Sequence, residues 1–124
     1  MTAHALLGLL VAHWLGDFVL QSDWMAQRKS REWSALAIHV AVYALTLLGW
    51  MLLMGLLGAS LLAPADCVLF VAANYVCHFL TDAVTARVNS NLWTSGRRHA
   101  FFVSVGFDQL LRVATMVYLF EWLM

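Results

Sequence analysis

Charge is scarce in this chain: Asp, Glu, Lys and Arg together make up 11% of its 124 residues, whereas 63% are hydrophobic. With a mean hydropathy of +0.78, that balance excludes an ordinary soluble domain and implies an integral membrane protein. Cysteine is equally sparse. Cys67 and Cys77 stand ten residues apart in one apolar stretch, a spacing that matches neither a zinc nor a redox motif, so both read as small packing or lipid-facing residues. Proline occurs once, at Pro64, where it closes one apolar stretch before the next. The basic residues are too few for nucleic-acid work and lie where membrane topology accounts for them. The N-terminus lacks the basic start and small-residue cleavage site of a secretory signal, so the first apolar stretch is expected to stay in the mature protein.

What the chain does have is long apolar runs. They extend over about Thr2 to Ser22, Trp33 to Leu62, Asp66 to Val88 and Phe101 to Met124. At ~1.5 Å per residue each can cross ~30 Å of hydrocarbon. The expected fold is an all-α membrane protein, residues 1–124 forming a single domain of four transmembrane helices arranged as two helical hairpins. The second run exceeds the required length and holds Gly49, Gly55 and Gly58, so tilt or a bend is expected near its end. Six of the seven basic residues fall in the links Asp23 to Glu32 and Asn89 to Ala100 or immediately beside them. The positive-inside rule therefore puts those links in the cytoplasm and both termini outside. Trp24, Trp33 and Trp93 flank the basic links, while Trp50 and Trp122 fall toward the other end, as interfacial aromatic belts do.

Ionisable residues interrupt every one of these runs. His13-x-x-x-Asp17 and His78-x-x-x-Asp82 repeat one phrase, on two helices that run in the same direction, which suggests an internal pseudo-repeat about an axis along the membrane normal. Four-residue spacing stacks His13, Asp17 and Gln21 on one helix face, and Asn74, His78 and Asp82 on another. Counted inward from the basic links, Asp17, His39, Asp82 and Asp108 lie roughly 10 Å deep and Arg112 about 17 Å. Charges facing lipid are uncompensated, so this layer should point inward, where these residues and Gln109 can meet. Imidazole and carboxylate together suit a divalent metal ion, zinc or manganese foremost. His13, Asp17, His78 and Asp82 are the candidate metal ligands. His39 and Asp108 complete the ion's shell or serve as base, and Arg112 suits an anionic substrate group. Buried His, Asp and Gln also act as hydrogen-bonding glue between helices, worth about 1 kcal/mol or less per contact. Glue does not call for three carboxylates at one depth, although Arg112 neutralises one and weakens the need for metal. His4 and His99 sit near interfaces and carry less weight.

The order His13-x-x-x-Asp17-Phe18-x-Leu20-Gln21-x-x-x-Met25, then His39, then His78-Phe79-Leu80-x-Asp82, then Asp108-Gln109 resembles the small bacterial and phage membrane proteins grouped as domain of unknown function 3307. The likeness covers nearly the whole chain. It implies a four-helix membrane protein, expected in the bacterial inner membrane, and brings no established activity. The family pattern continues its Asp-Gln with x-x-His, whereas Arg112 stands at that place here.

Three functions follow from the residues. The first is a metal-dependent hydrolase acting on a lipid or lipid-linked substrate from the cytoplasmic side. The alternative is a transporter or channel for metal ions or protons, since intramembrane Asp and His also mark ion pathways. Above the layer, however, Asn74, Thr46, Tyr43, Tyr118 and Thr115 offer only a thin polar path, which an oligomer of the chain would have to widen. The third is a structural protein whose polar layer specifies helix pairing. Membrane lipids are the expected partners and nucleic acid is not.

Overall fold

The structure, a computed structural model, describes residues 1–59 and 61–124. Among the described residues every regular element is helical. Helix α1 spans Ala3–Trp14 and continues without a break into a π-helical turn at Leu15–Val19. A short helix, α2, spans Asp23–Arg28. Three long helices follow: α3 at Trp33–Leu56, α4 at Pro64–Thr94 and α5 at Arg98–Leu123. These three are long and apolar enough to cross a membrane, and the N-terminal helix, 12 α-helical plus 5 π-helical residues, is shorter.

Local chemistry sets the boundaries, and it shifts several expected ones. Helix α3 stops at Leu56 instead of reaching Leu62, because Gly58 adopts φ +78 and closes a reverse turn. Gly58 N–H donates to Gly55 O at 3.1 Å and Ala59 N–H to Met54 O at 2.9 Å, the paired bonds of a Schellman cap. Residue 60, within the expected second span, lies outside the described residues. Pro64 does not merely end a run; it is the first residue of α4, where its missing N–H costs nothing. Helix α4 runs on to Thr94 rather than ending at Val88, since Gly96, at φ +75, builds the second Schellman cap with Trp93 and Leu92. The expected twelve-residue link thus shrinks to a tight turn. The other basic link is partly helical. Ser22 caps α2 by accepting from Met25 N–H at 3.3 Å.

Neighbouring pairs are α1 with α3, α3 with α4, α4 with α5, and α5 with α1, so that α1 and α4 stand diagonally across a four-helix bundle. Buried positions follow four-residue steps: Phe70, Asn74, His78, Asp82 and Ala86 on α4, and Asp108, Arg112, Met116 and Phe120 on α5. Both stripes change character along their length. One end of the bundle is apolar, with Leu9, Leu47, Met51, Phe70, Met116 and Phe120 packed together; the other end collects the ionisable groups. Outward faces remain apolar, as at Leu45, Leu52, Leu110 and Phe107, which suits a lipid environment.

Two glycines let α1 approach α3. A Cβ on Gly8 would fall 2.2 Å from the Trp50 indole, and one on Gly16 would meet the Tyr43 ring and backbone at 3.1 and 3.2 Å. Small residues at such contacts allow backbones to pack closely. Gly16→Val is therefore expected to destabilise the bundle by about 1–3 kcal/mol through overpacking. Gly106→Ala, at a site with open space around it, should leave stability unchanged or slightly raised, as unfolding in detergent micelles would show.

Candidate metal and ion-pair centre

Asp17, His39, His78, Asp82, Asp108 and Arg112 are all at least 95% buried and meet in one cluster. Its hub is the Arg112 guanidinium. Nη1 donates to both oxygens of Asp17 at 2.6 and 2.8 Å, Nη2 to Asp82 Oδ1 at 2.8 Å, and Nε to Asp108 Oδ1 at 3.1 Å. Nη2 also lies 2.7 Å from Asp108 Oδ2. One planar fork thus ties three carboxylates from three segments of the chain. A lysine, with a single point of charge, could not do this.

The imidazoles sit around this hub. His39 Nε2 lies 3.2 Å from Asp17 Oδ1 and 3.4 Å from Asp82 Oδ2, so His39 on α3 faces both aspartates of the repeated phrase. His78 Nε2 is 2.6 Å from Arg112 Nη1 and 3.3 Å from Asp17 Oδ1. Arginine can only donate there, which makes Nε2 the acceptor and leaves the ring proton on Nδ1. Among the described residues, neither His78 Nδ1 nor either nitrogen of His39 has a hydrogen-bond partner.

His13 is buried in the same layer but turned to other partners. Its Nε2 lies 2.9 Å from Gln109 Oε1 and its Nδ1 3.2 Å from Tyr43 OH. The amide oxygen can only accept, so His13 donates from Nε2 and receives the tyrosine proton at Nδ1. Gln109 Nε2 then donates to Asp17 Oδ2 at 3.0 Å and Asp108 Oδ2 at 3.2 Å. The chain Tyr43, His13, Gln109 to the two aspartates positions the carboxylates from behind.

The reason His13 and Asp17 face different partners lies in the backbone. Leu20 N–H bonds to Leu15 O at 2.9 Å, five residues back, so the turn carrying Asp17 is wider than an α-turn and the expected four-residue stripe is broken. Gln21 falls beyond the helix end altogether. Gly16 makes the wide turn sterically feasible against Tyr43.

Donor atoms of Asp17, His39 and His78 lie within 4.8 Å of one another, and this group could hold a metal ion. Ligand atoms at about 2.1 Å in a tetrahedral zinc shell are about 3.4 Å apart, close to the 3.2 and 3.3 Å from Asp17 Oδ1 to the two imidazoles. The three residues fit a divalent ion in spacing and chemistry; His39 Nε2 is unpartnered, whereas His78 Nε2 is shared with Arg112. Of the expected ligands, then, Asp17 and His78 stand in this group together with His39. Asp82 stands beside it on Arg112, Lys29 and His39, and His13 is engaged elsewhere. Asp108 is held by Arg112, Gln109 and Thr85, whose Oγ1 donates at 2.8 Å.

Lys29 is the participant that sequence reasoning passed over. It belongs to the topology-setting basic link, yet its Nζ reaches 3.2 Å from Asp82 Oδ2 and its side chain is mostly buried. Only the four-residue turn after α2 brings it there. With Lys29 it is possible to count the charge: three carboxylates face two cations, a net of one negative charge when the imidazoles are neutral.

A helical bundle with apolar outer faces and a buried arginine–aspartate–histidine centre defines the class of this protein. The family model described as a protein of unknown function (DUF3307) matches residues 5–124, and the chain belongs to that family. No curated protein and no solved structure matches the chain.

Removing Arg112 would leave three buried carboxylates with too little compensation. Arg112→Met is expected to cost about 3–5 kcal/mol of stability, and Arg112→Lys to recover less than half of it because the fork geometry is lost. Chemical unfolding in a mild detergent measures both.

Proposed function

We propose that the protein is an integral membrane hydrolase of a lipid or lipid-linked phosphoester, with a divalent ion, zinc or manganese, held by Asp17, His39 and His78. The observation that carries this reading is the position of Asp17. It belongs to the donor group and also to the wall of a cavity of about 1120 Å³ that adjoins Asp82, Asp108 and Arg112. A bound ion there supplies Lewis acidity for phosphoester hydrolysis. Arg112 orients Asp17 and Asp82 and offers positive charge to an anionic group. Gln109, braced by His13, holds Asp17 and Asp108 at their angles. Phe18 and Phe102, both exposed, edge the same cavity and provide apolar surface for an acyl chain.

A second reading is favoured by one feature. Arg112 Nη1 is 2.6 Å from both Asp17 Oδ1 and His78 Nε2, so guanidinium and metal compete for two of the three donor atoms. A network already satisfied by arginine needs no ion and would serve to fix helix pairing. Transport finds less support, because the far end of the bundle is filled by Leu9, Leu47, Met51, Phe70, Met116 and Phe120.

Elemental analysis of protein purified without chelator separates the two readings. The hydrolase reading expects about one zinc or manganese per chain and loss of most of it in His39→Ala. Metal-free protein whose thermal stability ignores added zinc would establish the packing reading. The membrane arrangement, N-terminus and C-terminus outside with the Lys29 and Gly96 turns in the cytoplasm, rests on the positions of the basic residues. Alkaline phosphatase joined after Met124 should be active in cells and inactive when inserted at Gly96; the reverse result would invert the topology.

A further inference from the structure

Asp17, Asp82, Asp108 and Arg112 line the large cavity, yet none is more than 5% exposed. Groups so covered meet a ligand only when part of the surrounding wall moves. The walls differ in how firmly they are held. Helices α4 and α5 pack on each other and bury continuous stripes that include Asp82, Asp108 and Arg112. The opposite wall is the run of residues 26–32, each of which lines the cavity. Helix α2, which leads into it, buries none of its residues and packs on α3 alone among the long helices. Non-helical residues at 20–22 and 29–32 flank it on both sides. Segments with so few buried contacts open at the lowest free energy.

One contact ties this wall across the cavity. Lys29 Nζ lies 3.2 Å from Asp82 Oδ2 on α4, the two side chains being 17% and 2% exposed. The other polar side-chain contacts of the segment are internal: Ser22 with Met25 N–H, and Arg28 with Glu32 and the Trp24 ring. Among the described residues, Lys29 is thus the polar side-chain link from the segment to α4 or α5. Asp82 does not depend on it alone. Its Oδ1 accepts from Arg112 Nη2 at 2.8 Å, and His39 Nε2 stands 3.4 Å from Oδ2. Lysine carries a strongly hydrated ammonium on a flexible stem, so Lys29 can swing out to water without stranding its charge. Closed and open arrangements then differ by one ion pair, each member of which keeps an alternative partner.

We propose that residues 23–31 form a strap over the cavity, latched by Lys29 on Asp82, and that its release opens the way to Asp17 and Arg112. The strap adds a gate to the proposed function and operates whether or not the centre takes a metal ion.

Thiol accessibility at Ala86 tests the gate. Ala86 is buried, lines the cavity and lies about one helical turn from Asp82. In the full-length chain carrying Cys67→Ala and Cys77→Ala, the substitution Ala86→Cys should give a thiol that reacts slowly with a water-soluble maleimide. Adding Lys29→Gln should raise the rate about tenfold, the worth of one lost charge-assisted contact. Lys29→Met, a second neutral variant, should match it, whereas Lys29→Arg keeps a cation and should stay within about threefold of the parent. Chelator should change none of these rates. Amide hydrogen exchange separates opening from unfolding: in Lys29→Gln, residues 23–31 should exchange faster while residues 74–82 keep the parent rate. A labelling rate indifferent to both neutral variants, an acceleration shared by residues 74–82, or Lys29→Arg as reactive as Lys29→Gln would each overturn the proposal.

Discussion

One guanidinium holds this bundle in register. Arg112 reaches Asp17 on the π-turn, Asp82 on α4 and Asp108 on its own helix, each at hydrogen-bond distance. Burying charges is expensive and the return depends on geometry, so such a network stabilises only one arrangement well. Sliding any of the participating segments by a turn would strand a carboxylate in the interior. The apolar half of the bundle is far less exacting, because leucine, methionine and phenylalanine contacts tolerate rearrangement. Specificity therefore resides at the polar end, and bulk packing at the other.

The polar end also depends on backbone irregularity. A regular α-helix through Asp17 would stack it over His13 and leave Gln21 on the same face. The five-residue bond from Leu20 back to Leu15 separates them, so that His13 acts through Gln109 while Asp17 faces Arg112 and His39. Single π-turns of this kind recur at functional sites. Here the consequence is concrete: the two copies of the His-x-x-x-Asp phrase do different work. His78 touches the hub directly, and His13 braces it from behind.

Charge and shape agree about which side of the centre is open. Tyr43, Met116 and the phenylalanines seal the apolar end. Toward α2 the carboxylates border a cavity of about 1120 Å³ edged by aromatic and basic residues. Lys29 crosses into that space from the loop. Donor spacing around Asp17 suits a metal ion, while the guanidinium contests two of the same atoms. The centre is thus poised between an ion-binding site and a self-compensated ion-pair network.

Much of this could be read from the sequence, and the limits have physical causes. Apolar length placed the helices, since helix rise and membrane thickness leave little freedom, and the family resemblance in the His13 and His78 phrases proved correct. The shared depth of Asp17, His39, Asp82, Asp108 and Arg112 came from counting residues, and their convergence followed from the cost of charge in an apolar medium. Helix ends were misjudged where Gly58 and Gly96 took positive φ, because a glycine in a run does not announce its conformation. Gln109 was expected in the layer and joins it, whereas Lys29 and Tyr43 enter the network through contacts distant in the chain. Composition and periodicity by themselves determined an apolar helical bundle with a buried ionisable layer, because both follow from hydropathy along a helix. Which imidazole meets which carboxylate, the wide turn at Gly16 and the cavity beside Asp82 were decided by the tertiary structure alone, since they depend on how side chains from separate helices meet in space.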